Sequence, residues 1–211
     1  AVRKATYQKF VQDFLRCVAG IDQNITRVLD HLNKHGLAQN TLVIYTSDQG
    51  YFLGEHNYFD KRFMLEESLR MPMVVRYPGE IEPGTVVKDI VLNVDFARTF
   101  LDYAGAEPPD SMAGRSFRAN LAGRTPSDWR DAIYYRYYGG QPERPAHFGI
   151  RTHSHKLIYY DGLTETLPEN RWEFYDLAAD PHETQNVYGD PQYVDLIGRL
   201  KDRLKHLQAE S

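Results

Sequence analysis

Residues 41–61 read TLVIYTSDQGYFLGEHNYFDK. Residues 42–45 form a short continuous apolar run, the kind of strand that is buried on both faces of a parallel sheet. It leads directly into the turn Ser47-Asp48-Gln49-Gly50. Gly54-Glu55-His56-Asn57 and Asp60-Lys61 follow within thirteen residues of Asp48. In open α/β sheets, ligands bind beyond the carboxyl ends of the strands. A carboxylate, an amide oxygen, an imidazole and an ammonium group gathered there suit a metal-held oxyanion such as sulfate or phosphate.

Upstream, Tyr7, Phe10, Phe14, Val18, Ile21, Ile25, Val28 and Leu32 recur at three- and four-residue spacing. This predicts an amphipathic helix reaching about His35, roughly 40 Å long, with Gly36 as its C′ residue. Downstream, residues 73–76 predict a second apolar strand, closed by Tyr77-Pro78-Gly79, and residues 90–94 a third. Asp95 is then expected as the N-cap of a helix ending near Tyr103. Residues 106–130 are rich in Gly, Pro and Ser and read as a connection with at most one short helix. Residues 132–138, 148–152, 156–160 and 172–176 read as four strands, and residues 191–208 as a covering helix. The expected division is therefore residues 1–130, the trailing part of an α/β domain, and residues 131–211, a small α+β subdomain. Two or three parallel strands do not make a stable doubly wound sheet, so the chain is expected to be part of a larger protein.

The chain has 211 residues, 42% hydrophobic and 26% charged, a composition ordinary for a globular protein. A formal net charge of −4 provides no basic surplus for displacing counterions from nucleic-acid phosphates, so no nucleic-acid partner is expected. No apolar run approaches the roughly 18 residues of a membrane span. The single cysteine, Cys17, rules out an intrachain disulfide and is expected as a buried thiol within the first helix. Fifteen tyrosines, clustered at residues 134–138 and 159–160, read as half-buried sheet positions or as a carbohydrate-facing surface.

Ser47-Asp48-Gln49-Gly50, Leu53-Gly54-Glu55-His56, Asp60-Lys61-Arg62, Glu66-Glu67-Ser68-Leu69-Arg70-Met71-Pro72 and Arg76-Tyr77-Pro78-Gly79 stand in the order found in type I sulfatases of the alkaline phosphatase superfamily. Gly149-Ile150-Arg151-Thr152, Lys156-Leu157, Glu173-Phe174-Tyr175-Asp176-Leu177 and Asp180-Pro181-His182-Glu183 extend the match. The chain resembles the C-terminal part of such an enzyme across essentially its whole length. In wording it is similar to bacterial enzymes acting on 6-sulfated N-acetylglucosamine. The fold implied is the C-terminal portion of an alkaline-phosphatase-like α/β domain, followed by a four-stranded antiparallel sheet and a C-terminal helix.

The resemblance implies sulfate-ester hydrolysis on a sulfated carbohydrate, in a periplasmic or secreted bacterial setting. It implies that Asp48 and Gln49 supply part of a Ca2+ site, since calcium takes carboxylate and amide oxygens; read alone, Asp-x-Gly is equally an Asx turn. Lys61 is similar to the lysine that contacts the sulfate and leaving-group oxygens, the alternative being a surface lysine. His56 either contacts sulfate or fixes the loop through Glu55 and Asn57. His147, after a Pro- and Arg-rich loop at residues 141–145, and Arg151 are expected to contact sugar or sulfate, or else to be structural. His31, His153 and His155 are expected to be exposed. The family nucleophile is a formylglycine made from a Cys/Ser-x-Pro/Ala-x-Arg motif. That motif is expected outside this chain, in an N-terminal half that would be its partner, because Cys17 continues as Val18-Ala19-Gly20-Ile21. Related phosphoesterases, such as phosphonate monoester hydrolases, and a non-catalytic glycan-binding module remain as other readings.

Overall fold

In the computed structural model, residues 2–139, 144–161 and 171–210 are described; residues 141–143 of the loop before His147 lie outside them. Two compact units are resolved, one from residues 1–45 and 73–85, the other from residues 46–72 and 86–211.

The first unit holds α1 (Val2–Lys34), β1 (Val43–Thr46) and β4 (Met73–Arg76), with β1 hydrogen-bonded to β4. The apolar periodicity produces the expected helix, with Asp13 pairing on its surface with Lys9 and Arg16. Gly36 ends it at φ 69°, where a Cβ would be strained. Its amide donates to Asn33 O at 3.2 Å and that of Leu37 to Leu32 O at 2.9 Å, a Schellman closure. Leu15, Val18, Ile21 and Val28 remain exposed along this helix. Cys17 is likewise exposed, which corrects its expected burial: it lies on the same open stretch of the helix as Leu15, Val18 and Ile21. β1 and β4 are half-buried rather than buried on both faces, with Tyr45 and Val74 exposed.

The second unit is built on the sheet β5 (Ala132–Tyr137), β6 (His147–Thr152), β7 (His155–Tyr160) and β8 (Trp172–Asp176), an antiparallel meander in sequence order. Side chains alternate between its faces. Ala132, Ile150, Leu157 and Phe174 pack against Ile197, Leu200 and Leu204 of α5 (Val194–Ala209). From the opposite face, Ile158 and Tyr175 pack against Phe52, Phe63, Met64 and Leu65. Phe52 and Met64 are fully buried there, a contribution of about 1.5–3 kcal/mol each. The sheet is thus a platform for residues 52–65. That segment contains β2 (Phe52–Leu53) and β3 (Phe59–Asp60), a two-stranded hairpin, and leads into α2 (Glu66–Leu69).

Along the chain, α3 (Asp95–Ala104) and α4 (Arg118–Leu121) come between the site segment and the sheet strands. Residues 90–94 form no strand, contrary to expectation. Their backbone groups are taken by side chains: Trp129 Nε1 donates to Ile90 O at 3.0 Å, and Leu92 N to Asp95 Oδ2 at 2.8 Å. Asp95 is the first residue of α3 rather than its cap. Its buried carboxylate also pairs with Arg130 and accepts from Arg115 N at 2.9 Å. His155 is half-buried, its ring 5.7 Å from that of Phe174, and so departs from the exposed position expected; His31 and His153 are exposed.

Candidate active site

The turn after β1 is held by its backbone. Ser47 Oγ donates to Gln49 O at 2.9 Å, Asn93 Nδ2 to Asp48 O at 2.8 Å, and Gly50 N to Ser68 O at 2.9 Å. A Cβ on Gly50 would stand 2.0 Å from Glu67 O and 3.0 Å from Arg70 O. Gly50 is therefore required for the close approach of the α2 turn. The Asp48 and Gln49 side chains are left available: the Asp48 carboxylate takes only the Ser47 hydroxyl, at 3.3 Å, and forms no ion pair among the described residues. Their oxygens fit a hard cation. They would fill two or three of the six to eight places that calcium takes, and no group of three His, Cys, Asp or Glu side chains poised for a metal occurs among the described residues.

The hairpin that follows is strained. His56 (φ 52°), Asn57 (φ 61°), Asp60 (φ 93°) and Arg62 (φ 95°) all have positive φ without being glycine. Such conformations cost about 1–3 kcal/mol each and persist where their surroundings over-determine them. Here the surroundings are specific. The Asp60 carboxylate is gripped by Arg62 and by Arg144 at 2.7 Å. Arg62 N donates to Ser68 Oγ at 2.8 Å, and Arg62 O accepts from Tyr135 Oη at 3.0 Å. Lys61, half-buried between these two anchored residues, has an ammonium with no ion pair among the described residues. The carboxylate of Asp60, its neighbour in sequence, is taken by Arg62 and Arg144. His56 Nε2 lies 3.4 Å from Glu67 Oε2 and its ring meets Phe52 edge-on at 5.9 Å, while Glu55 closes the same loop by accepting from Leu53 N at 2.6 Å.

Beneath the loop lies a charge cluster that the sequence patterns did not single out. Lys156 Nζ, wholly buried, sits 3.0 Å from Glu66 Oε1 and 2.5 Å from Glu183 Oε1. Arg151 Nη2 lies 3.1 Å from Glu66 Oε2, and Glu183 Oε2 accepts from Glu66 N at 2.6 Å. Two cations face two carboxylates, joining β6, β7 and α2 to the loop at Glu183. Burial works to raise the pKa of Glu66, but Lys156 and Arg151 outweigh it and hold the group below its ordinary value. Burial raises Glu183 despite Lys156. Arg151 is thus committed to Glu66.

His147 lies on the same face of β6 as Arg151, fully buried. Its ring is 5.3–5.8 Å from those of Phe63, Tyr135, Tyr137 and Tyr160. Nδ1 is 2.9 Å from Pro145 O, so it carries the proton and donates; Nε2 is left as an unpartnered acceptor. Burial lowers its pKa, keeping the ring neutral at pH 7.

One stretch of the chain does spell Ser-x-Ala-x-Arg, Ser111-Met112-Ala113-Gly114-Arg115, which corrects the expectation that the pattern lies wholly elsewhere. Its arginine is engaged: Arg115 Nη2 lies 2.7 Å from Asp128 Oδ2 and its guanidinium stacks 4.8 Å over Trp129. Nothing in the described geometry directs it to an oxyanion beside Ser111.

Residues 54–210 match the family model described as N-sulphoglucosamine sulphohydrolase, C-terminal. The chain belongs to the sulfatase family. The N-acetylglucosamine-6-O-sulfatase of Bacteroides thetaiotaomicron is 46% identical to this sulfatase chain over 209 residues, 97% of the chain and 36% of the relative. A protein solved in complex with its substrate D-glucosamine-2-N,6-O-disulfate superposes with TM-score 0.88 at 45% identity, over 96% of this chain and 41% of that one. The phosphonate monoester hydrolase of Agrobacterium radiobacter superposes with TM-score 0.78 at 26% identity, over 92% of this chain and 40% of that one. The sulfatase chain therefore spans well under half the length of these relatives. The expected four-stranded sheet and covering helix are those of the family fold. No helix among the described residues is long and apolar enough to cross a membrane.

Proposed function

We propose that this chain forms the C-terminal portion of a hydrolase that removes sulfate esters from sulfated glucosamine, with a nucleophile supplied by the remainder of a longer protein. Asp48 and Gln49 would hold part of a calcium site, and a calcium ion bound there would hold and polarise sulfate oxygens. Lys61 would place its ammonium against the sulfate and the leaving oxygen, stabilising negative charge as the sulfur–oxygen bond breaks. His56 would border the same site. His147 is wholly buried among Phe63, Tyr135, Tyr137 and Tyr160, so direct contact between its Nε2 and a sugar hydroxyl would require that packing to open. Arg151 acts on this site through Glu66 in the geometry described, so direct substrate contact by Arg151 would require it to exchange that partner.

The observation that carries this reading is the Lys61 ammonium, left without an ion pair between two anchored residues of a loop that is bonded, through Ser68, to the Asp48-Gln49 turn. The likeness to an N-acetylglucosamine-6-O-sulfatase favours that sugar and sulfate position. Turnover by the complete protein should be compared on N-acetylglucosamine-6-sulfate, the 3-sulfate and a phosphonate monoester. Preference for the 6-sulfate is expected. A phosphonate preference would move the assignment to the phosphonate monoester hydrolase relatives. The isolated chain should show no hydrolysis, and activity from it alone would overturn the shared-site reading.

A further inference from the structure

Ser68 is buried at 4% exposure in α2 and uses both of its oxygens on neighbouring loops. Its carbonyl accepts from Gly50 N at 2.9 Å, next to Gln49. Its hydroxyl accepts from Arg62 N at 2.8 Å, next to Lys61. The far end of the Arg62 residue is held from the sheet, where Tyr135 Oη donates to Arg62 O at 3.0 Å. Asp60 and Arg62, on either side of Lys61, both occupy positive φ, which a free loop would abandon. Gly50 lets this junction form, because any Cβ there would strike Glu67 O.

We propose that Ser68 is a positioning residue that fixes the Lys61 ammonium relative to the Asp48-Gln49 turn, with Tyr135 as its counterpart on the opposite side of Arg62. The inference rests on the functional reading of Lys61 given above. Neither side chain touches substrate. Each holds the backbone conformation on which the placement of Lys61 depends, and small displacements of a reacting group cost up to about 10²-fold in rate. The Ser68 hydroxyl is the separable part of the junction: removing it frees Arg62 N while leaving the carbonyl bond to Gly50 intact.

The test uses the complete enzyme with N-acetylglucosamine-6-sulfate. Ser68→Ala is expected to lower kcat about 10- to 100-fold with KM changed less than about threefold. Ser68→Thr keeps the acceptor and should recover most of the lost kcat. Tyr135→Phe should reproduce the kcat loss without altering the α2 turn, so the inference stays testable if the Ser68 variants fold poorly. A double variant separates positioning from general damage: on a Lys61→Ala background, Ser68→Ala should cost little more. Multiplying losses in that double variant overturn the inference. So does unchanged kcat in both Ser68→Ala and Tyr135→Phe when Lys61→Ala abolishes turnover. If Lys61→Ala itself leaves kcat unchanged, the functional reading fails, and positioning through Lys61 fails with it.

Discussion

Lys156 and Glu183 lie 2.5 Å apart with neither side chain exposed to solvent. Breaking such a pair by removing one partner leaves a buried charge uncompensated, at a cost of about 3–5 kcal/mol. Lys156→Met should destabilise the protein by that order, read as a lowered denaturation midpoint at unchanged slope. A double variant, Lys156→Met with Glu183→Leu, should lose less than the sum of the single losses, since the second change removes the orphaned carboxylate. Additive losses would show that the pair contributes no coupling.

His147 makes stability depend on pH in a defined direction. The ring is buried against Phe63, Tyr135, Tyr137 and Tyr160, with Arg136 and Asp161 the charged groups acting on it. Burial lowers its native pKa below the unfolded value of about 6.5. As pH falls, the unfolded chain takes up the proton first. The stability contributed by the neutral ring is therefore full above about pH 6.5 and is lost as pH falls through the lower native pKa. A His147→Gln variant should show a shallower decline in melting temperature between pH 7 and 5. A decline as steep as in the parent would assign the dependence to other groups.

The elements legible in the sequence are those specified by local pattern. The Tyr7-to-Leu32 stripe defines α1, and strand segments set between turn residues define β5 to β8. The failures come from side-chain partners that local pattern does not reveal, most of them distant in the chain. Residues 90–94 read as a strand because they are apolar, yet Trp129 and Asp95 side chains take the backbone groups that a ladder would need. Arg151 reads as an anion contact because it is cationic on a strand, while Glu66, 85 residues away, already occupies it. Glu183 accepts from Glu66 N across 117 residues, and nothing in the motif Asp-Pro-His-Glu announces a buried carboxylate. Of the candidate site, spacing alone groups Asp48, Gln49 and Lys61. The junction at Ser68 that ties the two loops together depends on a fold-back that spacing does not encode.

Gly50→Ala tests that fold-back. The added Cβ would lie 2.0 Å from Glu67 O, so the α2 turn must shift away. A destabilisation of about 1–3 kcal/mol is expected, the range for overpacked positions. Calcium affinity of the complete protein should weaken as well, since the shift moves the Asp48-Gln49 turn. Unchanged stability and unchanged affinity together would mean the turn has slack that the geometry does not show.

Calcium binding provides a separate check on how much of the metal site resides here. Asp48 and Gln49 supply at most three side-chain oxygens, well short of the six to eight that the ion takes. Calorimetric titration of the isolated chain should therefore detect weak binding at most. Asp48→Asn in the complete protein should reduce calcium affinity. Tight one-to-one binding by the isolated chain would mean that other oxygens of this chain complete the site.

Lys61 provides the most direct test of the chemistry. If its ammonium stabilises charge on the departing oxygen, the interaction is stronger in the transition state than in the bound substrate. Lys61→Ala should then lower kcat by about 10²–10³-fold, comparable to removing one preorganised charge-stabilising group, with KM little changed. Lys61→Arg retains charge but replaces a compact ammonium with a planar fork, so only partial recovery is expected. The side chain has no ion pair among the described residues, so the melting temperature should stay close to the parent's. A rise in KM with kcat unchanged would make Lys61 a binding residue that acts equally on substrate and transition state. An unchanged kcat/KM would remove it from the reaction altogether.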